Sequence, residues 1–244
     1  MKILTDSSYR TDRIIIIIIS ALLFIPFIGS VHLFDWDEIN FAEASREMIM
    51  TGDYTHVQIN YETFWEKPPF FFWLQVICMK IFGINEFASR LPNALTGIAT
   101  MLTLYAMGRK LENRKFVWIW MLTYAGSVLP HFYFRTGIID PVFNLFIFVS
   151  IWFVYRLTLL TSEQAKERLK FAAYAGFFAG MAVLTKGPVG LLIVLLSVGV
   201  YMIVARKFWA LNIKEWVLFF VLVGAVSIAW FGYELITNGP FFLQ

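Results

Sequence analysis

The chain has 244 residues, 59% of them hydrophobic and only 15% charged, with a formal net charge of +3. Soluble domains carry about 25% charged residues, so this chain has too little polar surface for a water-soluble globule, and a bilayer must solvate most of it. So small a net charge gives no basis for a nucleic-acid partner, and a lone cysteine, Cys78, excludes an internal disulfide and a cysteine-based metal cluster.

The chain opens with Arg10 and Arg13 ahead of an isoleucine run at 14–19. That pattern has the n-region and h-region of a signal peptide. No small-x-small cleavage site follows and the apolar stretch continues to Phe34, so an uncleaved first transmembrane helix is expected. Further apolar stretches recur at 88–107, 116–134, 141–160, 171–185, 188–205 and 216–236. With 14–34 they make about seven crossings, each near the ~20 residues that a bilayer demands, apart from the short 171–185.

The stretch 68–82 is apolar but short, and Lys80 interrupts its end. Basic residues decide its treatment, because cytoplasmic loops carry the excess of Lys and Arg. Lys2, Arg10 and Arg13 put the N-terminus inside. If 68–82 does not cross, the clusters Arg109/Lys110/Arg114/Lys115, Arg156/Lys166/Arg168/Lys170 and Arg206/Lys207/Lys214 all fall inside too. The segment therefore reads as a juxtamembrane or re-entrant helix. Asp35, Asp37, Glu38, Glu66, Lys67, Arg135, Asp140 and Lys186 then share the outer face. The inner loops hold neither GxGxxG nor a Walker-type GxxxxGK[ST], so nucleotide chemistry is not expected there.

The first outer loop, 35–87, is the informative segment. Ile39, Ala42, Met48 and Ile49 can share one face of an amphipathic helix, with Glu38, Glu43 and Glu47 largely elsewhere and Gly52 as its stop. Asp35 with Glu38 fits a capping box, and Asp37 fits a cap by itself. Capping and chemistry compete evenly on pattern alone. The crowding of scarce acidic residues at the end of the first helix favours chemistry, since ionisable groups near membrane depth are costly. Pro68-Pro69 can begin a helix without losing amide bonds. Lys67 would sit just before that N-terminus, where a cation beside free amides suits a phosphate. Snorkelling to lipid headgroups is the simpler role for this lysine.

Several motifs in order resemble the membrane glycosyltransferases that use polyprenyl-phosphate sugars. They are Asp37-Glu38 with Phe41-Ala42-Glu43 and Arg46-Glu47, then Glu66-Lys67-Pro68-Pro69, then Phe87-Ala88-Ser89-Arg90-Leu91-Pro92. Arg135-Thr136-Gly137-Ile138-Ile139-Asp140 and Thr185-Lys186-Gly187-Pro188 follow. The resemblance is to the branch holding the lipid A aminoarabinose transferase and the protein O-mannosyltransferases, with the GT-C fold. It covers nearly the whole chain. It implies an all-α polytopic membrane protein, a single transmembrane domain over 1–244, with its active site in loop 35–87 at the outer face of a bacterial inner membrane.

The resemblance also implies a mechanism. An acceptor on lipid A, another glycolipid or a protein attacks the anomeric carbon of a sugar carried on polyprenyl phosphate. Asp37, with Glu38 beside it, orients or deprotonates the acceptor. Asp140 takes the family's second acidic position. Lys67, with Arg135 and Lys186, steadies the donor phosphate as charge develops on it. Glu43, Glu66 and Trp65 are candidates for substrate binding. Family members are usually longer, with about a dozen crossings, so a truncated form is expected here.

Other features are weaker. No metal is assigned: His32 and His56 lack ligand spacing, and the sequence gives no support to a divalent ion bridging outer-loop carboxylates. Trp36, Trp65 and Trp73 fit interfacial anchoring or a sugar groove. His131 and Arg135 fit the rim of the third span. Two rival functions stand beside the enzyme. A lipid-linked-sugar flippase would place ionisable groups at mid-membrane, where this chain is apolar. A non-catalytic membrane partner of related fold would keep the architecture without the reaction.

Overall fold

The computed structural model describes residues 6–34, 36–207 and 210–239. Lys2 and Asp35, with the orientation and capping roles expected of them, lie outside the described residues. The described chain is helical throughout, apart from one two-stranded hairpin and a 3-10 turn at Ser162–Gln164. It divides into two compact units, 1–52 with 72–141, and 53–71 with 142–244.

In the first unit α1 (Asp6–Phe24) ends ten residues before the expected boundary at Phe34. Pro26 follows, and Phe27 takes a left-handed φ of 64°, which a helix cannot continue. The short helix α2 (Trp36–Thr51) comes next. Gly52, at φ 75°, ends it, its amide bonding to the Met48 carbonyl at 3.1 Å. The expected amphipathic face is corrected here. Ile39 is 50% exposed, whereas Phe41, Ala42, Ser45 and Met48 are buried together with Glu38 and Glu47. Apolar periodicity missed these two carboxylates because it takes an acidic side chain to face water, whereas both are buried.

Helix α3 (Phe70–Phe82) follows Pro68-Pro69 as expected. Its 13 residues span about 20 Å, too little for a crossing. Asn85 caps α4 (Glu86–Leu111), accepting from the Ala88 amide at 2.9 Å. Asn113 does the same for α5 (Arg114–Gly126). The stretch expected to run unbroken over 116–134 breaks at Ser127 and resumes as α6 (Val128–Tyr133). Between α2, α3 and α4 a polar chain runs through the core. Ser45 Oγ donates to Gln75 Oε1 at 2.8 Å, and Gln75 Nε2 donates to the Ser89 carbonyl at 2.9 Å. At the other end of α1, buried Asp12 accepts from Tyr105 and Arg114.

The second unit holds the hairpin, β1 (Gln58–Ile59) with β2 (Glu62–Thr63). Asn60 and Tyr61 both have φ near 60°, the geometry of a type I′ turn. Helix α7 (Asp140–Thr158) begins in the first unit and runs into this one. Helix α8 (Ala165–Lys186) is longer than its apolar core at 171–185. Helices α9 (Val189–Val204) and α10 (Ile213–Asn238) complete the unit. Asn212 and Glu215 form a capping box at the start of α10. Arg168 donates to Glu215 at 2.6 and 2.9 Å and to the Ala210 carbonyl at 2.7 Å.

Small residues let α8 and α10 touch backbone to backbone. A Cβ on Gly176 would strike the Phe219 carbonyl and lie 2.9 Å from its Cα, and one on Gly180 would meet Val226 Cβ at 2.8 Å. Helices α7 and α10 are long and apolar enough to cross a bilayer, while α3 and α9 are apolar but shorter.

Candidate functional site

The site begins with two adjacent acidic residues in the first turn of α2, which differ completely in environment. A helix turns about 100° per residue, so neighbours cannot face the same way. Glu38 points inward and is 2% exposed. It accepts from Arg90 Nε at 2.7 Å and Nη2 at 2.8 Å, from the Phe34 amide at 3.0 Å and from the Gly137 amide at 2.6 Å. Both carboxylate oxygens are filled. Asp37 is exposed and makes no side-chain hydrogen bond among the described residues.

Arg90 is the counterpart of that inward turn. Its five N–H donors go to Glu38 twice and to the carbonyls of Ile28, Val31 and His32 at 2.6–3.0 Å. A guanidinium is suited to this fork, and the Phe34 ring lies 5.5 Å from its centre. The irregular stretch after α1 is thus folded around one side chain of α4. Arg90 belongs to a motif quoted from the sequence, but no role was expected of it. The signal was there: a lone arginine at the head of an apolar helix must find a partner.

The Arg135–Asp140 segment joins the same cluster. Gly137 gives its amide to Glu38, and a Cβ there would crowd the Ser89 carbonyl at 3.2 Å and Gln75 Nε2 at 3.3 Å. Asn93 Nδ2 donates to the Thr136 and Ile138 carbonyls, both at 2.6 Å. Three residues after Gly137, half-buried Asp140 opens α7. Arg135 is half-buried and donates to the Pro26 carbonyl at 2.8 Å. The structure therefore brings the segments bearing Asp37 and Asp140 together through Glu38.

The remaining candidates have their own surroundings. Glu43 is engaged by Arg46 at 2.6 and 2.8 Å, and those bonds hold its carboxyl below the ordinary value against the opposing effect of burial. Lys67, Glu66, Trp65 and Lys186 belong to the second unit. Lys67 lies 3.6 Å from the mostly exposed Glu66, and Trp65 is half-buried beside them. Lys186 ends α8 at the left-handed Gly187, its ammonium 5.5 Å from the centre of the Phe143 ring. Among the described residues, no group of three His, Cys, Asp or Glu side chains could hold a metal ion.

Also in the second unit, His56 Nδ1 lies 2.7 Å from Asp53 and its Nε2 3.9 Å from buried Glu234. Trp230 Nε1 donates to the Thr55 carbonyl at 2.8 Å, fastening the segment before the hairpin to α10. Burial pushes the Asp53 carboxyl up, but hydrogen bonds from the side chains and amides of Thr55 and His56 prevail and bring it down to about 2.

Comparison with known proteins gives the family and the fold. A family model described as dolichyl-phosphate-mannose-protein mannosyltransferase matches residues 66–230. The undecaprenyl phosphate-alpha-4-amino-4-deoxy-L-arabinose arabinosyl transferase of Shewanella sediminis is 26% identical over 226 residues, which are 92% of this chain and 41% of that protein. Its namesake in Yersinia enterocolitica is 29% identical over 86% of this chain and 38% of that protein. The crystal structure of ArnT from Cupriavidus metallidurans in the apo state superposes with a TM-score of 0.85 at 23% identity, over 93% of this chain and 42% of that one. The same protein bound to undecaprenyl phosphate gives 0.84, over 94% and 43%. That likeness shows the fold, a GT-C membrane fold. The chain spans less than half the length of each of these proteins.

Proposed function

Since the chain belongs to the dolichyl-phosphate-mannose-protein mannosyltransferase family, we propose that it carries the acidic site of a glycosyltransferase that moves a sugar from polyprenyl phosphate to a lipid or protein acceptor. The observation that carries this reading is the division of labour in the Asp37-Glu38 pair. Glu38 is buried and saturated by Arg90 and two backbone amides, which leaves Asp37 as the carboxylate open to a substrate. A general base must reach the proton that it removes, and a carboxylate without internal partners is free to do so.

Asp37 then orients or deprotonates the acceptor hydroxyl, and Asp140 assists from the segment that Glu38 holds. Glu38 is a positioning residue in this reading, not a base. Lys67 is the candidate for the leaving phosphate, with Arg135 and Lys186 as further cations and Glu43, Glu66 and Trp65 as substrate contacts. The donor class rests on the relatives named for undecaprenyl-phosphate-linked aminoarabinose and on the ArnT structure bound to undecaprenyl phosphate. The seven crossings, the outer placement of loop 35–87 and the inner membrane of a bacterium complete the proposal, supported by the distribution of basic residues.

The test is transfer from radiolabelled undecaprenyl-phosphate aminoarabinose in membranes containing this chain, its Asp37→Asn variant, or a version extended to the length of its relatives. Transfer that vanishes with Asp37→Asn supports the reading. Transfer that survives it removes Asp37 from the chemistry.

A further inference from the structure

A cavity of about 490 Å³ opens in the first unit, where the stretch after α1 meets the break between α5 and α6. Its walls are the side chains of Phe27, Val31, Val128 and Phe132, with His131 and Arg135 among them and no acidic residue in the lining. Phe27 is 79% exposed and Val128 86%. These apolar groups would be unfavourable against water and are at home against hydrocarbon. The volume lies within the range of small-molecule and cofactor sites.

Two observations say what such a groove takes. Arg135 uses one donor on the Pro26 carbonyl, and its remaining N–H groups make no hydrogen bond among the described residues. A half-buried guanidinium with donors to spare, beside an apolar channel, fits an amphiphile whose acidic headgroup sits at the arginine. The second observation is the bulky Phe27, held at φ 64°. Its carbonyl takes the Ser30 amide at 3.1 Å and hydroxyl at 2.7 Å, while Arg135 holds the carbonyl before it. Left-handed backbone at a large aromatic is strained, and strain of this kind gathers at ligand clamps. The turn keeps the ring at the mouth of the groove.

We propose that this groove is a binding site for an anionic glycerophospholipid of the surrounding bilayer, one acyl chain lying along Phe27, Val31 and Phe132 and the phosphate on Arg135. Bilayer phospholipid is the occupant because the mouth is formed by the most exposed apolar side chains of this unit, which bulk lipid meets first. Arg135 is also one of the further cations assigned to the donor phosphate above, so undecaprenyl phosphate is titrated beside the phospholipids to tell the two occupants apart.

Native mass spectrometry of the purified chain in detergent tests it, titrating dioleoyl phosphatidylglycerol, dioleoyl phosphatidylcholine and undecaprenyl phosphate. Gly126 lines the groove with open space around the position of its Cβ, so Gly126→Phe fills the groove without a backbone clash. Phosphatidylglycerol is expected to bind in preference to phosphatidylcholine. Arg135→Gln should weaken phosphatidylglycerol about tenfold, as loss of one charged hydrogen bond does, and Gly126→Phe should remove the adduct while circular dichroism and elution volume stay unchanged. Equal binding of the two phospholipids, or phosphatidylglycerol adducts that persist in Gly126→Phe, overturns the proposal. So does an adduct that undecaprenyl phosphate displaces and that Gly126→Phe abolishes, because the groove would then belong to the donor.

Discussion

Glu38 and Arg90, 52 positions apart, meet through two hydrogen bonds of 2.7 and 2.8 Å, with side chains only 2% and 3% exposed. Breaking a buried pair by removing one partner leaves an uncompensated charge and costs about 3–5 kcal/mol. Arg90→Gln should therefore lower the midpoint of thermal unfolding in detergent sharply. Arg90→Lys should do nearly as much harm, since an ammonium cannot span both oxygens and three carbonyls. A lysine variant as stable as the parent would show that the fork geometry is unimportant.

Asp37→Asn should separate chemistry from structure. Asp37 is exposed and makes no side-chain hydrogen bond among the described residues, so the variant should unfold at the parental temperature. Transfer should fall by about 10²–10⁴, the range typical of a lost general base. Glu38→Gln should do the reverse first, losing stability along with activity. If Asp37→Asn proves the less stable of the two, the roles argued here are inverted.

Gly137→Ala offers a quieter probe of the same cluster. The added methyl would sit 3.2 Å from the Ser89 carbonyl and 3.3 Å from Glu38 Cγ, so the segment leading to Asp140 must shift by a few tenths of an ångström. A displacement this small at a positioning residue should lower turnover more than it lowers the unfolding midpoint. Parallel loss of both would mean that Gly137 serves packing alone.

Gly176→Ala should destabilise the second unit by about 1–3 kcal/mol, because its methyl would collide with the Phe219 carbonyl on α10. Gly224→Ala, with open space around its Cβ, is the control and should be neutral or slightly stabilising. Thermal unfolding of the two variants side by side decides the matter, and a harmless Gly176→Ala would contradict the close approach of α8 and α10.

Asp53 makes a prediction in pH. Its folded value, about 2, lies below the ordinary 3.8, so ionised Asp53 stabilises the folded loop. That contribution is complete above 3.8 and is lost as pH falls towards 2. Asp53→Asn should thus melt earlier than the parent at pH 6, and the gap should close on acidification through this window. A gap constant down to pH 2 would show that Asp53 is not depressed.

The sequence revealed the helical membrane class and the family, because apolar runs are a direct consequence of bilayer solvation and the motifs stand in the chain in a fixed order. It misjudged the ends. Phe27 and Ser127 break stretches whose hydropathy is continuous, and hydropathy does not register backbone torsion. It also treated Asp37 and Glu38 as a pair. Nothing in two adjacent carboxylates says which one faces inward until Arg90 and Gly137 are placed in space. The buried Glu47 was hidden in the same way, its helix face being apolar only in part.

The five donors of Arg90 bear on how the protein is made. Ile28 and Arg90 are 62 positions apart, yet the carbonyls of Ile28, Val31 and His32 all rest on that one guanidinium. When the first helix leaves the ribosome, the residue that settles the stretch after its C-terminal end has not been translated. The segment beyond Phe24 cannot take its final form until α4 has been made, so the synthesis and the final folding of this stretch are separate events in time.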